Sequence, residues 1–121
     1  MSAITTHVLD TARGRPAAGV PISLQRRPSD DSDGDGGDTW VTVGSGVTDG
    51  DGRLRTLVAA DTQLEPGTYR ITFDTAAYFA DHGIESFYPL VRVVFAVRAA
   101  DEHYHVPLLL SPYGYSTYRG S

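Results

Sequence analysis

Ile4-Thr5-Thr6-His7-Val8-Leu9-Asp10 decides the fold. In an extended chain, successive side chains point to opposite faces, so Ile4, Thr6 and Val8 fall on one side and Thr5, His7 and Leu9 on the other. That is a strand with one face fit for a core and a histidine on the other. The same grammar continues outward. Gly14-Arg15-Pro16 and Gly19 turn the chain into a second strand over residues 20–25. Residues 40–44 resume a strand, Thr48-Asp49-Gly50-Asp51-Gly52 turns, and residues 53–59 form another. Glu65-Pro66-Gly67 leads into a cleanly alternating strand at 68–74. Residues 89–98, 104–110 and 113–118 follow as strands, the last two split by Ser111-Pro112. Residues 75–83 read as the one short helix, with Thr75 as N-cap and Gly83 ending it in a left-handed conformation. About eight short strands with a single helix predict an all-β, antiparallel β-sandwich. There is no internal repeat.

The 121 residues suit one domain spanning 1–121, long enough to bury a core without staples. Cysteine is absent, which excludes disulfides, thiolate nucleophiles and thiolate metal sites. All ten basic residues are arginine, so Schiff-base chemistry on lysine is excluded as well. The formal net charge of −5, with no basic patch, argues against nucleic-acid binding. No run of 18 apolar residues reads as a membrane span. The opening Met1-Ser2-Ala3-Ile4-Thr5-Thr6-His7 lacks the basic and apolar parts of a secretory signal, so the expected location is cytoplasmic.

Residues 28–38, Pro-Ser-Asp-Asp-Ser-Asp-Gly-Asp-Gly-Gly-Asp, read as a flexible acidic loop. Asp31, Asp33, Asp35 and Gly36 fit the opening of a calcium loop, but Thr42 stands where the bidentate glutamate is needed. The loop is therefore read as a solvated hairpin connection.

Imidazoles are the natural general acids and bases near neutral pH. His7 lies opposite Ile4 and Val8 on its strand, and His105 lies opposite Val106, Leu108 and Leu110 on another. Both project from an outer sheet face, where each taken alone fits a surface histidine. His103 and His105 are two apart and share a face, an arrangement that with a third histidine suits zinc. No acidic metal motif accompanies them, so no metal and no cofactor are expected. Arg53 opens a strand directly after a glycine-rich turn, where a held guanidinium can grip a carbonyl or an oxyanion. A strand-edge arginine in water is the plainer reading of the same residue.

Three segments together resemble a known family. They are His7-Val8-Leu9-Asp10-Thr11-Ala12-Arg13-Gly14-Arg15-Pro16-Ala17, Thr48-Asp49-Gly50-Asp51-Gly52-Arg53, and residues 105–121 ending in Tyr118-Arg119-Gly120-Ser121. They resemble transthyretin and its enzymatic relatives, the transthyretin-like 5-hydroxyisourate hydrolases of urate degradation. The resemblance covers essentially the whole chain and departs mainly at the acidic loop. The terminal Tyr-Arg-Gly-Ser, with His7, Arg53 and His105, is similar to the hydrolases and not to the hormone carrier.

The resemblance implies hydrolysis of 5-hydroxyisourate to 2-oxo-4-hydroxy-4-carboxy-5-ureidoimidazoline by histidine-activated water. It implies catalytic roles for His7, Arg53, His105 and Ser121. It places Tyr118, Arg119 and Gly120 at the substrate, with Tyr118 narrowing the site and Arg119 fixing the tail. It further implies a homotetramer whose active sites lie at the dimer–dimer interface. The alternative from another class is a small-molecule carrier using the same channel. A channel filled with histidine, arginine and tyrosine discriminates against it. A structural adhesion module is the third reading, a class usually found outside the cell.

Overall fold

A computed structural model describes residues 3–27, 39–59 and 62–120. The acidic loop at 28–38 and Ser121 lie outside the described residues. Among those described, nine strands and one helix run in the order β1 (Ile4–Asp10), β2 (Arg15–Pro16), β3 (Pro21–Arg26), β4 (Val41–Val47), β5 (Arg53–Leu54), β6 (Gly67–Phe73), α1 (Thr75–Asp81), β7 (Val91–Val97), β8 (Tyr104–Ser111) and β9 (Gly114–Thr117). They form two sheets. One has the order β2-β1-β8-β9, with β5 also on β1, and the other has the order β4-β3-β6-β7. The all-β sandwich expected from the turn spacing is the fold observed. No described helix is long and apolar enough to cross a membrane.

The alternation in β1 is what seats it. Ile4, Thr6, Val8 and Asp10 face inward and are fully buried, while His7 and Leu9 on the opposite face are half-buried. The facing sheet contributes Leu24, Tyr69, Ile71 and Phe73 to the same core. Each such apolar side chain contributes about 1.5–3 kcal/mol on burial. The two polar members of the inward row are satisfied. Thr6 Oγ1 donates to the Val106 carbonyl at 2.6 Å. The Asp10 carboxyl accepts from the Ala12 and Arg13 amides and, through Oδ2, from the Tyr78 hydroxyl at 2.7 Å. A buried carboxyl without such donors would cost several kcal/mol.

The sandwich is antiparallel except at its centre. β1 pairs in parallel with β8 over its full length, Ile4 opposite Tyr104 through Asp10 opposite Leu110. Its other edge is shared between β2, at Leu9 and Asp10, and β5, at Thr6 and His7. β1 is thus paired on both sides, and its outward residues lie among neighbours from three other strands.

Two local expectations need correction. The strand expected over 53–59 is only Arg53–Leu54. Beyond it the chain leaves the sheet, and Leu57 and Val58 are buried as a plug in the core. Gly44 on β4 permits this, since a Cβ there would run into the Leu57 carbonyl. The helix is capped by Asp74, whose side chain accepts from the Ala77 amide at 3.1 Å. Thr75 instead lies buried in the first turn and donates to the Tyr88 carbonyl at 2.9 Å. Gly83 does end the helix with φ +67°.

Candidate active site

The outward face of β1 and its neighbours is organised in two rows. In one, Arg53 of β5 lies directly opposite His7 of β1, which lies opposite Pro107 of β8. In the other, Thr5 of β1 lies opposite His105 of β8, which bridges to Gly120 in the tail after β9. His7, Arg53 and His105 therefore share one face; sequence parity predicted this for the two histidines, and the register of β5 on β1 adds Arg53. The rows meet only because β1 and β8 are paired in this register.

A turn sets Arg53. The Asp49 carboxyl accepts from the amides of Asp51 at 2.9 Å and Arg53 at 3.0 Å. Those hydrogen bonds, the one from Arg53 foremost, hold Asp49 below the usual carboxylate range. Gly52 sits at φ +76°, and its carbonyl accepts from the Val8 amide at 2.7 Å. A Cβ there would strike the Val8 carbonyl, so only glycine brings the turn this close to β1. The three ion pairs among the described residues use Arg26, Arg55 and Arg119. Arg53 forms none of these ion pairs, though its charge acts on the Asp49 carboxylate and on both imidazoles.

Each imidazole is held by one nitrogen. His7 Nε2 lies 3.0 Å from the Asp51 carbonyl, which can only accept. Neutral His7 is therefore protonated at Nε2 and carries its lone pair on Nδ1. His105 Nδ1 lies 2.8 Å from the Thr5 hydroxyl. No described residue hydrogen-bonds His105 Nε2. Burial lowers the pKa of both imidazoles, and the positive charge of Arg53 lowers both further. His103 and His7 push His105 in the same direction, while a hydrogen bond to the Thr5 backbone opposes. For His7, the Asp51 carbonyl and the Asp49 and Asp51 carboxylates oppose. The result is two imidazoles biased toward their neutral forms by burial and by the nearby Arg53 charge.

The tail closes against His105. The Gly120 amide donates to the His105 carbonyl at 2.8 Å. A Cβ on Gly120 would lie 2.6 Å from His105 Cδ2 and 3.4 Å from Pro107 Cγ. Arg119 stacks on Tyr104 at 4.6 Å and donates to Glu102 at 3.1 Å and to the His103 carbonyl at 3.3 Å. Its guanidinium anchors the tail to the segment that leads into β8. Tyr118 is 57% exposed. It borders a cavity of about 140 Å³ with Val93, Phe95, Tyr104 and Val106 at the edge between the sheets. His103 and His105 do share a face, and the group they share is Thr5, with its hydroxyl 3.1 Å from His103 Nε2. Among the described residues no cluster of three or more histidines and carboxylates gathers. Sequence reasoning passed over Thr5. Its outward parity was visible, but its position opposite His105 was not.

Comparison with known proteins agrees with the fold. Residues 4–120 match the model of the HIUase/Transthyretin family. A probable 5-hydroxyisourate hydrolase of Caenorhabditis elegans is 48% identical, over 99% of this chain and 82% of its own length. The solved structure of Klebsiella pneumoniae 5-hydroxyisourate hydrolase superposes with a TM-score of 0.80 at 38% identity, covering 99% of this chain and 100% of that one. Sea bream transthyretin, solved in complex with thyroxine, superposes with a TM-score of 0.84 at 32% identity, covering 98% and 95%. A hydrolase and a thyroxine-bound transthyretin thus share this backbone, so the fold alone does not assign the activity. With a match that runs from the first described strand to the glycine beneath His105, the chain belongs to the HIUase/Transthyretin family.

Proposed function

We propose that the protein hydrolyses 5-hydroxyisourate to 2-oxo-4-hydroxy-4-carboxy-5-ureidoimidazoline. The observation that carries this reading is the pair of imidazoles, each fixed by one nitrogen and biased toward its neutral form, beside a guanidinium that forms none of the described ion pairs. Opening a ring amide with water needs a base for the water, a cation for the oxyanion and a proton for the leaving nitrogen. In the proposed sequence one imidazole takes a proton from water as oxygen adds to the carbonyl carbon. Arg53 binds the developing oxyanion. The carbon–nitrogen bond breaks as the leaving nitrogen receives a proton from the imidazole pair. Gly120 gives the His105 ring its room, Tyr118 and Arg119 shape and anchor the tail beside the substrate, and Ser121 completes the set. The carrier alternative finds no support in this face, which offers charge and hydrogen bonding where an apolar ligand needs apolar walls.

The test is direct. Purified protein added to freshly generated 5-hydroxyisourate should speed its loss well beyond the spontaneous rate, followed by ultraviolet absorbance. No acceleration by the folded protein overturns the assignment.

We further propose a cytoplasmic homotetramer with the active sites at the dimer–dimer interface, and a single domain over 1–121. The support is the site's position on an outer sheet face, where a single chain leaves it open to water. β2 and β9 also end one sheet and β4 and β7 the other, and unpaired edges invite pairing with another chain. Light scattering should give the mass of four chains.

Two further results are expected. Since burial and Arg53 lower both imidazoles, the neutral, proton-accepting forms persist below the ordinary histidine value of about 6.5. Activity should be full at pH 7 and fall on acidification with a midpoint below that value. A midpoint above 7 in a kcat/KM profile contradicts it. In Gly120→Ala the added methyl must displace the His105 ring. The expected outcome is a loss of about tenfold or more in kcat/KM, since misplacing a group by about 1 Å costs on the order of 10²-fold. The melting temperature should change little, because Gly120 lies outside the core.

A further inference from the structure

Thr5 is an unusual residue for its place. It lies on the outward face of β1 yet is only 7% exposed, covered by His103 and His105. Its hydroxyl is 2.8 Å from His105 Nδ1 and 3.1 Å from His103 Nε2. A hydroxyl has one proton and two acceptor positions. If it accepted from both rings, its own buried proton would have no acceptor among the described residues, which costs about 1–3 kcal/mol. With both rings neutral, two arrangements remain. Either Thr5 donates to His105 and accepts from His103, or the reverse. In the first, the His105 proton sits on Nε2, the nitrogen that no described residue engages, and the ring is no longer a base there. In the second, His105 keeps its proton on Nδ1 and leaves the Nε2 lone pair open.

The surroundings hold this chain of contacts in place. Gly120 lies against the Cδ2 edge of the His105 ring, so Nδ1 and Cδ2 are both bounded and Nε2 is the open nitrogen. The Arg119 guanidinium donates to the His103 carbonyl and stacks on Tyr104, which anchors the strand at the far end of the chain of contacts.

We propose that Thr5 is a positioning residue. Its hydroxyl accepts the Nδ1 proton of His105 and donates its own proton to His103 Nε2, fixing His105 as the tautomer with a bare Nε2. In that state His105 can take water's proton at Nε2. His103 acts through Thr5 and does not touch the substrate. This inference rests on the hydrolase reading for its consequence in turnover, but not for the tautomer itself.

The experiment has two arms. In the first, long-range proton–nitrogen correlation spectra of uniformly nitrogen-15-labelled protein are recorded above pH 7 without substrate. His105 should appear protonated at Nδ1 and bare at Nε2, and Thr5→Val should mix the tautomers. In the second, Thr5→Val, which keeps the shape of the side chain, should lower kcat about 10–100-fold, the usual cost of removing a group that orients a functional histidine. KM should stay within about threefold. Thr5→Ser, which restores the hydroxyl, should recover kcat to within about threefold of wild type. A wild-type His105 protonated at Nε2 overturns the proposal, as does a Thr5→Val enzyme with wild-type kcat, or a Thr5→Ser enzyme as slow as the valine variant. Should Thr5→Val fail to fold, the wild-type spectrum and Thr5→Ser still decide. A wild type with the expected tautomer but no action on 5-hydroxyisourate supports the positioning role and overturns the hydrolase reading alone.

Discussion

His105→Gln should cost about 10²–10⁴-fold in kcat/KM at neutral pH, the range lost when a positioned general base is removed. Glutamine is close in length and can still reach the Thr5 hydroxyl, so the strand has no reason to shift. The neighbours that hold β8 in the core, Val106, Leu108 and Leu110, point the other way. Loss of activity should therefore come with a melting temperature near that of the wild type. The companion measurement is His7→Gln, alone and combined with His105→Gln. Two imidazoles that pass one proton from water to nitrogen act as a unit, and residues acting as a unit are far from additive. The double variant should be little slower than the worse single variant. Independent, multiplying losses would show two separate tasks.

Arg53→Met is the second large effect. Removing a donor aimed at a developing oxyanion costs about 10²–10³-fold in kcat, or about 3–4 kcal/mol. The guanidinium forms none of the described ion pairs, so stability should change by no more than about 0.5 kcal/mol, as at ordinary surface sites. The substitution should also leave a mark on the pH profile. Arg53 lowers both His7 and His105 by its charge. Without it both imidazoles hold their protons to higher pH, and the acid limb of kcat/KM moves up. Arg53→Lys keeps the charge and should keep the limb near its wild-type position. It should still lose turnover, because an ammonium lacks the flat fork that grips an oxyanion from two nitrogens. A methionine variant with an unmoved limb would place Arg53 away from the imidazoles in solution.

Much of this was legible in the chain before any coordinates. The alternation along β1 and β8 put His7 and His105 off the core, because a half-buried strand repeats every two residues. What failed was what depends on a distant neighbour. Residues 53–59 carry Leu57, Val58 and no turn signal, and so read as a strand. They leave the sheet because Gly44, more than ten residues earlier, lets their backbone pass where a side chain would stand. Asp74 and Thr75 are both good caps, and the choice fell to Asp74 because Thr75 is drawn into the core by the Tyr88 carbonyl. Thr5 was invisible as a partner of His105 for the same reason. Parity shows which face a residue takes, whereas register between strands 100 positions apart is set by the whole fold.

The parallel pairing of β1 with β8 also has a kinetic meaning. It joins residues 4–10 to residues 104–110, nearly the full span of the chain. Hairpins such as β6 with β7 or β8 with β9 close short loops. The β1–β8 ladder must close a loop of about a hundred residues before any of its contacts compensate for the lost chain entropy. Topologies dominated by such distant pairs fold slowly, in milliseconds to seconds. Thr5 reaches His105, and His7 comes beside it, only across this ladder. During refolding, amide signals from the β4–β3–β6–β7 sheet, and the signal of Trp40 stacked on Arg70 of β6, can recover first, while catalytic competence waits for the two ends to meet. On the ribosome, β1 emerges roughly a hundred residues ahead of its partner and spends that interval as an exposed edge.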